Sequence, residues 1–258
     1  CLTAAQLQAL LDRIDALEET LANQGSDTTD TAVDAQPCPG TPTVTDIDGN
    51  VYNTVQIGDQ CWMRENLKTT KYANGTTIPL STNTSSNVTI TGPYRKCPDN
   101  NSSNVVNYGY LYSWVAVMNA AAGSTATPSG VQGICPDGWH VPSDAEWSQL
   151  LGYVGNKDSF VCDITEGNTS KALSDSINWS LSTAQCAVGN DLSSNNATGF
   201  SIRPAGSGST VGANAYFWST TISDQERVCV RYWNYASPNG RIAFFSKYDS
   251  YSVRCVRN

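Results

Sequence analysis

Nine cysteines are spread along the 258 residues of this chain, and they restrict its fold more than any other feature. They stand at positions 1, 38, 61, 97, 135, 162, 186, 229 and 255. No two of them form a Cys-x-x-Cys pair, and the only histidine is His140. A zinc site needs thiolates or imidazoles at short spacing. Scattered cysteines without that spacing predict disulfides, which persist in oxidising compartments.

A cysteine at residue 1 is typical of a bacterial lipoprotein after removal of its signal peptide, with lipid on the thiol and amine of Cys1. No stretch approaches the about 18 apolar residues of a membrane span, so this lipid is the expected contact with the outer membrane. We therefore expect the protein on the extracellular face of the outer membrane, at the cell surface. The eight other cysteines are then predicted to be all oxidised, as four disulfides: Cys38, Cys61, Cys97, Cys135, Cys162, Cys186, Cys229 and Cys255.

The composition excludes nucleic acid as a partner. Only 15% of the residues are charged, and 23 acidic residues outnumber 15 basic ones, which gives a net charge of −8. Such a chain is a poor candidate for binding a phosphate backbone. Asn, Ser, Thr and Gly take the place of charged residues, and they favour turns, short strands and long loops.

Residues 1–23 form an N-terminal segment with a helical heptad pattern. Leu7, Ile14 and Leu21 repeat every seven residues, with Leu10 and Leu17 at the complementary positions. Such an a/d seam is typical of a coiled coil, and a single helix of this length is marginal in water. The seam therefore needs a partner, and we expect self-association of the helix as a stalk. Packing of the seam on the chain's own domain is the alternative.

Residues 24–43 are predicted to be a linker, because they are rich in Gly, Ser, Thr, Asp and Pro and poor in large apolar residues. One globular domain, residues 44–258, is predicted to follow. Its first residues alternate around Asp48-Gly49, a preferred turn pair, and this predicts a hairpin. The spacing of Asp46, Asp48 and Asn50 fits a turn better than a calcium loop, because the later ligands of an EF-hand are missing.

Two helices are predicted in the domain. The first spans residues 108–122, with apolar positions at helical spacing. The second begins after Ser143, which with Glu146 forms a capping box ahead of Trp147, Leu150 and Leu151. The last about 40 residues alternate in the manner of strands. Large or rigid residues beside turns are expected in the core: Trp139, Pro142, Trp147 and Trp218.

Six residue blocks in this domain resemble a known family. In order, they are DIDGNVYNTVQIGDQCWMRENLKTTKYANGTTIP, YGYLYSWVAVMNA, GICPDGWHVPSDAEWSQL, GFSIRPAG, FWSTT and YSVRCVRN. They are similar to the Fibrobacter succinogenes major paralogous domain over roughly residues 44–258. Members are typically secreted or lipid-anchored proteins of Bacteroidota, Fibrobacterota and relatives. Thr28 and Thr31 in the linker also resemble positions of the O-glycosylation motif of Bacteroidota.

The resemblance implies a fold class. The GWHVPSDAEW block is similar to a block of formylglycine-generating enzymes, which implies an α+β, C-type-lectin-like domain with short strands, two main helices and long loops. The N-terminal helix and linker would precede it. The ends of such a domain lie close together, which implies a Cys135–Cys255 disulfide. Cys162 and Cys186 share one irregular segment, which favours a second disulfide. Pairing among the remaining four cysteines stays open.

The sequence favours a protein that is not an enzyme. His140, the only imidazole base, lies between Trp139 and Val141 in a core-like block, so we expect a structural role for it. The chain has no phosphate-binding loop and no dinucleotide fingerprint. Neither a metal site nor a cofactor is predicted.

A binding or adhesion function is favoured instead, through the strands and loops at the C-terminal end. Tyr, Trp and Asn crowd there, and these residue types give large contact areas and adaptable hydrogen bonds. The candidate contact residues for a carbohydrate or protein ligand are Tyr232, Trp233, Asn234, Tyr235, Asn239, Tyr248, Asp249 and Tyr251. The alternative is a structural subunit of an extracellular fibre or surface coat.

Overall fold

A computed structural model of the chain describes residues 35–82, 90–163, 168–208 and 210–258. The strands in this part are β1 (Thr43–Thr45), β2 (Val51–Ile57), β3 (Gln60–Met63), β4 (Arg95–Lys96), β5 (Leu111–Ser113), β6 (Trp139–His140), β7 (Asn214–Ile222), β8 (Arg227–Asn234), β9 (Arg241–Ser246), β10 (Ser250–Tyr251) and β11 (Val256–Arg257). The α-helices are α1 (Val105–Tyr108), α2 (Trp114–Met118), α3 (Asp144–Gly155) and α4 (Ser170–Leu173). Short 3₁₀ turns lie at Pro98–Asn100, Ser102–Asn104, Asp158–Phe160 and Leu192–Ser194.

The described strands form three antiparallel sheets. The first has the order β1-β2-β3-β11-β6, so the last strand of the chain is inserted between β3 and β6. The second has the order β10-β5-β4, and the third has the order β7-β8-β9. Pairing of β3 with β11 and of β5 with β10 joins residues that lie far apart in the chain. Only the tertiary fold creates these pairs, because loop closure over such separations is costly until the core forms.

The prediction of an α+β, C-type-lectin-like class with two main helices is wrong. The described part is built mainly of β-sheets, and three of its four α-helices have five residues or fewer. The predicted helix over 108–122 is instead strand β5 followed by the five-residue α2. Tyr112 pairs with Tyr251 and Arg95 in the second sheet, so strand pairing overrides the helical spacing there. The N-terminal helix and its seam lie outside the described residues.

Helix α3 and the hairpin agree with the sequence-based predictions. Ser143 caps α3, and its hydroxyl accepts a hydrogen bond from the Glu146 backbone while the Glu146 carboxylate accepts one from the Ser143 backbone. β1 and β2 pair on either side of the Asp48-Gly49 turn, where Gly49 takes a positive φ of 82°. Both features depend on local residue chemistry, which explains why the sequence reveals them.

Two large clusters of buried side chains and a small third one around Tyr108, Leu111 and Ala205 form the core of the described residues. The first core cluster lies around Met63, Tyr112, Val117 and Trp218, and the second lies around Trp62, Trp147, Phe217 and Trp233. The β7-β8-β9 sheet lies between them, because alternate residues of a strand point to opposite faces. Trp139, Trp147 and Trp218 are all buried, as their positions beside turns predict.

Three disulfides link six of the described cysteines: Cys38–Cys61, Cys135–Cys255 and Cys162–Cys186. The last two are the pairs that the sequence analysis favoured. The prediction that all eight cysteines are oxidised is wrong, because Cys97 and Cys229 carry free thiols. Cys97 lies just after β4 of the second sheet, whereas Cys229 lies within β8 of the third sheet and is buried.

Among the helices in the described ranges, none combines the length and the apolar character needed to cross a membrane.

Candidate functional site

The C-terminal residues predicted to contact a ligand lie on or beside the β7-β8-β9 sheet, which has two different faces. Phe217, Arg231 and Trp233 point to one face, which helix α3 covers through Trp147. Tyr216 and Tyr232 point to the opposite face. A ligand could reach only the part of the second face that no other element covers.

Trp233 and Tyr251 are not ligand contacts, and the prediction is wrong for both. Trp233 has no solvent exposure, and its ring lies 5.9 Å from Trp147 and 5.8 Å from Phe217. Tyr251 is 5% exposed and contacts Trp218 and Tyr216. Both rings fill the core on account of their size, and alternation along a strand cannot distinguish an inward face from an open one.

A partly exposed patch remains at one end of the second face, where Tyr216 also packs against the first core cluster. Tyr216 and Tyr232 form a cross-strand pair with rings 5.6 Å apart and nearly parallel, at 22°. Beside them Asn214 and Asn234 form the next pair on the same face, and the Asn234 amide donates to the Asn214 carbonyl oxygen at 2.8 Å. Arg241 of β9 lies opposite Tyr232 and is exposed. These five residues are called the asparagine–tyrosine face below.

Two of the predicted ligand-contact residues, Tyr232 and Asn234, belong to this face. The other predicted contact residues that are partly exposed lie mostly in loops and contact other parts of the protein. Tyr235 packs against the second core cluster, and the Asn239 amide donates to Asn168 at 2.9 Å. The backbone carbonyl oxygen of Tyr248 accepts a hydrogen bond from the Tyr94 hydroxyl. The side chains of Asp249 and Tyr251 are hydrogen-bonded to each other. Burial raises the pKa of the Asp249 carboxyl above its ordinary value.

Sequence reasoning missed Asn214, Tyr216 and Arg241. Asn214, Tyr216 and Trp218 alternate along β7, so the alternation places them on one face. The register that sets Tyr216 opposite Tyr232 differs from the register nearer the turn, because the pairing is irregular between Trp218 and Ile222. No sequence signal locates this irregularity.

His140 has the structural environment expected for it. It is 1% exposed, with Nε2 at 2.6 Å from the Glu146 carboxylate and Nδ1 at 2.6 Å from the Asn258 side chain. The other Glu146 oxygen accepts from the backbone of Ser129 and Ser143. The imidazole therefore connects β6, α3 and the C-terminal residue, and it does not face a cleft.

Asp46 and Asp48 shape the first turn through their own hydrogen bonds. Asp46 accepts from Asp48 and Asn50 backbone groups and from the Tyr52 hydroxyl at 2.7 Å. Asp48 accepts from Thr70 and pairs with Lys71 at 3.1 Å. Within the described ranges, no group of three or more His, Cys, Asp and Glu side chains could hold a metal ion.

Comparisons with known proteins give one result that identifies a family. Neither the curated proteins nor the solved structures include a match to this chain. The sequence model of the Fibrobacter succinogenes major domain matches residues 55–257, which is most of the chain. The match covers four of the six residue blocks in full, most of the first one, and all but the final residue of the last one. The chain therefore belongs to the Fibrobacter succinogenes major domain family.

Proposed function

We propose that this protein is a non-enzymatic binding module at a bacterial cell surface, and that its asparagine–tyrosine face binds carbohydrate. The observation that carries the proposal is the pair of parallel tyrosine rings beside an amide pair on the same open face. A sugar ring stacks on an aromatic ring, and its hydroxyl groups hydrogen-bond to amide and guanidinium groups. The face offers both kinds of contact in one place.

The position of these side chains on paired strands supports a binding role. Tyr232 lies in the central strand of its sheet, between β7 and β9, so its backbone is held on both sides. A ligand that binds such a preformed face loses little free energy to ordering of the protein. Tyr and Asn also supply contact area and hydrogen bonds at low entropic cost.

The cell-surface location rests on separate support. Three disulfides fit an oxidising compartment outside the cytoplasm. The seam of Leu7, Ile14 and Leu21 would let the N-terminal helices associate. Several copies held together would raise the avidity of a weak sugar contact.

Tyr232→Ala tests this function. The full chain is screened on a glycan array, and the affinity of the best glycan is then measured by calorimetry. We expect the substitution to weaken binding about tenfold or more, because aromatic anchors dominate such contacts. Tyr153→Ala is the matched control, since Tyr153 is a 39% exposed tyrosine on α3, which covers the opposite face of the sheet.

The control should bind as the parent chain does, and both variants should unfold at nearly the parent temperature. Equal affinity of the Tyr232→Ala variant and the parent would overturn the assignment of the face. Binding of a protein ligand without any glycan would overturn the carbohydrate class.

A second function, as a subunit of a fibre or surface coat, is favoured by strand β9. It is the last strand of its sheet, so one of its edges has no partner strand among the described residues. Ile242 and Phe244 on β9 are 48% and 51% exposed. An open edge with exposed apolar side chains is a template for pairing with another chain.

A further inference from the structure

A polar cleft of about 270 Å³ shares no residue with the asparagine–tyrosine face. It is called the arginine cleft here, and its walls are Asn53, Arg64, Glu65, Asp175, Asn196, Ser201 and Arg203. They come from β2, the segment after β3, the segment after α4 and the loop over 195–203. A smaller adjoining cavity shares Glu65, Ser201 and Arg203, and Lys68 and Arg254 lie in its wall.

The two carboxylates of the cleft already have partners. Glu65 accepts from the backbone and the side-chain amide of Asn53, each at 2.8 Å. Asp175 forms an ion pair with Nε of Arg203 at 2.7 Å. Their charges are therefore held in place, and a bound cation would have to displace these contacts.

The cationic groups keep unused donors. Nε of Arg64 donates to the Gly199 carbonyl oxygen at 2.9 Å, while its two terminal nitrogens have no partner among the described residues. Nη1 of Arg203 donates to the Asn107 carbonyl oxygen at 3.0 Å, and no described residue accepts from its Nη2. A guanidinium group with free terminal nitrogens fits a carboxylate in a bidentate geometry.

Arg254 adds a buried positive charge to the adjoining cavity. It has no solvent exposure, and within the described ranges no carboxylate forms an ion pair with it. It donates to the Asn66 side chain at 2.8 Å and to the Ser201 carbonyl oxygen at 3.2 Å, while its Nε has no partner in the described part. Burial is the main reason that its pKa falls to about 9. The charges of Glu65 and Asp175 oppose that fall without forming an ion pair with Arg254. A bound anion nearby would add to their stabilisation of the buried guanidinium group.

The loop that closes the cleft is held in one conformation. Asn196 and Ser201 both have positive φ, at 70° and 59°. The Asn196 side chain accepts from the Ser201 backbone and donates to the Ser201 hydroxyl, each at 2.9 Å. The bond from Arg64 to Gly199 fixes the middle of the same loop. Backbone conformations of this kind persist only where surrounding contacts impose them, and they preorganise a site.

We propose that the arginine cleft binds a carboxylate carried on a polyhydroxylated ring, the chemistry of a uronic acid. The terminal nitrogens of Arg64 and Nη2 of Arg203 bind the carboxylate. Asn53, Asn196 and Ser201 line the rest of the cleft with groups that hydrogen-bond to ring hydroxyls. The volume suits a single sugar ring, either free or at the end of a chain. This site is independent of the asparagine–tyrosine face and of its function.

The test is calorimetry on the full chain with glucuronate and galacturonate, and with glucose and galactose as neutral comparators. We expect a uronate to bind about tenfold or more tightly than its neutral counterpart, a difference of about 1.4 kcal/mol. Arg64→Gln should weaken uronate binding by a similar factor, because it removes the terminal guanidinium donors. Arg227→Gln is the control, since it removes the same charge from an exposed pair with Asp224.

Asn107→Asp keeps the test decisive if the Arg64 variant does not fold. Asn107 is exposed beside Arg203, and its described contact uses only its backbone carbonyl. A new carboxylate there should weaken uronate binding and leave the fold intact.

Equal binding of uronate and neutral sugar, or full uronate affinity in a folded Arg64→Gln or Asn107→Asp chain, would overturn the proposal. Tighter binding of inorganic phosphate or sulfate than of either uronate would overturn the ligand class. A fall in uronate affinity with unchanged binding to Tyr232-dependent glycans separates this site from the other.

Discussion

The free thiol of Cys229 shows how much one neighbouring side chain alters the chemistry of a residue. Its sulfur donates to the Asp144 carboxylate at 3.1 Å, and the residue is 2% exposed. The same carboxylate is held by Arg231 at 2.6 Å and 2.9 Å. Burial, followed by the bond to Asp144, raises the pKa of Cys229 to about 12. The thiolate is the nucleophilic form, so a raised pKa makes Cys229 a poor nucleophile at neutral pH.

Asp144→Asn should lower the pKa of Cys229 towards the ordinary range, because an amide neither repels a thiolate nor neutralises Arg231. The measurement is the ultraviolet absorbance of the thiolate against pH, in a chain with Cys1→Ser and Cys97→Ser. In the parent chain the pKa of Cys229 is higher in the folded state than in the unfolded state, where it is near 9. The neutral thiol therefore contributes its full share to the free energy of unfolding below pH 9. This contribution is lost as the pH rises towards about 12.

Asp224→Asn removes an exposed carboxylate elsewhere and should leave the titration of Cys229 unchanged. A Cys229 that titrates near pH 9 in the parent chain would contradict the structural account. So would an identical titration with and without the Asp144 carboxylate.

At the scale of the element, strand β9 tests the fibre alternative. Phe244→Lys puts a charge on the exposed apolar side of this edge strand, which is how edge pairing is commonly prevented. If copies pair through β9, the variant should give smaller native particles in light scattering and electron microscopy. Leu181→Lys is the control, because Leu181 is 78% exposed in a loop.

Ile14→Asp separates the two routes to assembly. This change lies in the heptad seam, and it should abolish an oligomer held by the N-terminal helix while residues 44–258 stay folded. Particles that keep their mass in the Phe244→Lys chain and lose it in the Ile14→Asp chain would exclude β9 as the assembly element. Unchanged particle mass in both variants would exclude the N-terminal helix and β9 alike as assembly elements.

Helix α3 and the segment over 108–122 show which elements a sequence can reveal. Ser143 and Glu146 satisfy backbone groups within one turn of chain, so their pattern predicts the start of α3. The apolar spacing of Leu111, Trp114 and Met118 is equally helical, yet Leu111 lies in a strand. The partners of its strand, β5, come from residues 95–96 and 250–251, and no local sequence pattern indicates them.

At the scale of the whole molecule, the disulfides constrain very different lengths of chain. Cys135–Cys255 joins residues 120 apart, whereas Cys162–Cys186 joins residues 24 apart. Loop-closure entropy predicts that removing the longer link costs about 5 kcal/mol of unfolding free energy and the shorter one about 3 kcal/mol. Cys135 and Cys255 also have no solvent exposure, so their removal disturbs the first core cluster.

The comparison uses Cys135→Ala with Cys255→Ala against Cys162→Ala with Cys186→Ala, each followed by guanidinium denaturation. The first pair should be the less stable by about 1 to 2 kcal/mol. Equal stability of the two double variants would show that chain length between the cysteines does not set the cost.

The sequence alone determined the features that depend on local chemistry or on composition. These are the β1-β2 turn, the start of α3, the burial of Trp139, Trp147 and Trp218, and the family. The tertiary structure alone decided which side of each strand is open to solvent. Trp233 and Tyr232 are neighbours in one strand, and packing against α3 buries the first while the second stays at an open face. The arginine cleft also depends on the tertiary structure alone, because Arg64, Asp175 and Arg203 come together only when distant segments fold together. Contacts between distant residues depend on the register and packing of whole elements, and no short stretch of sequence encodes them.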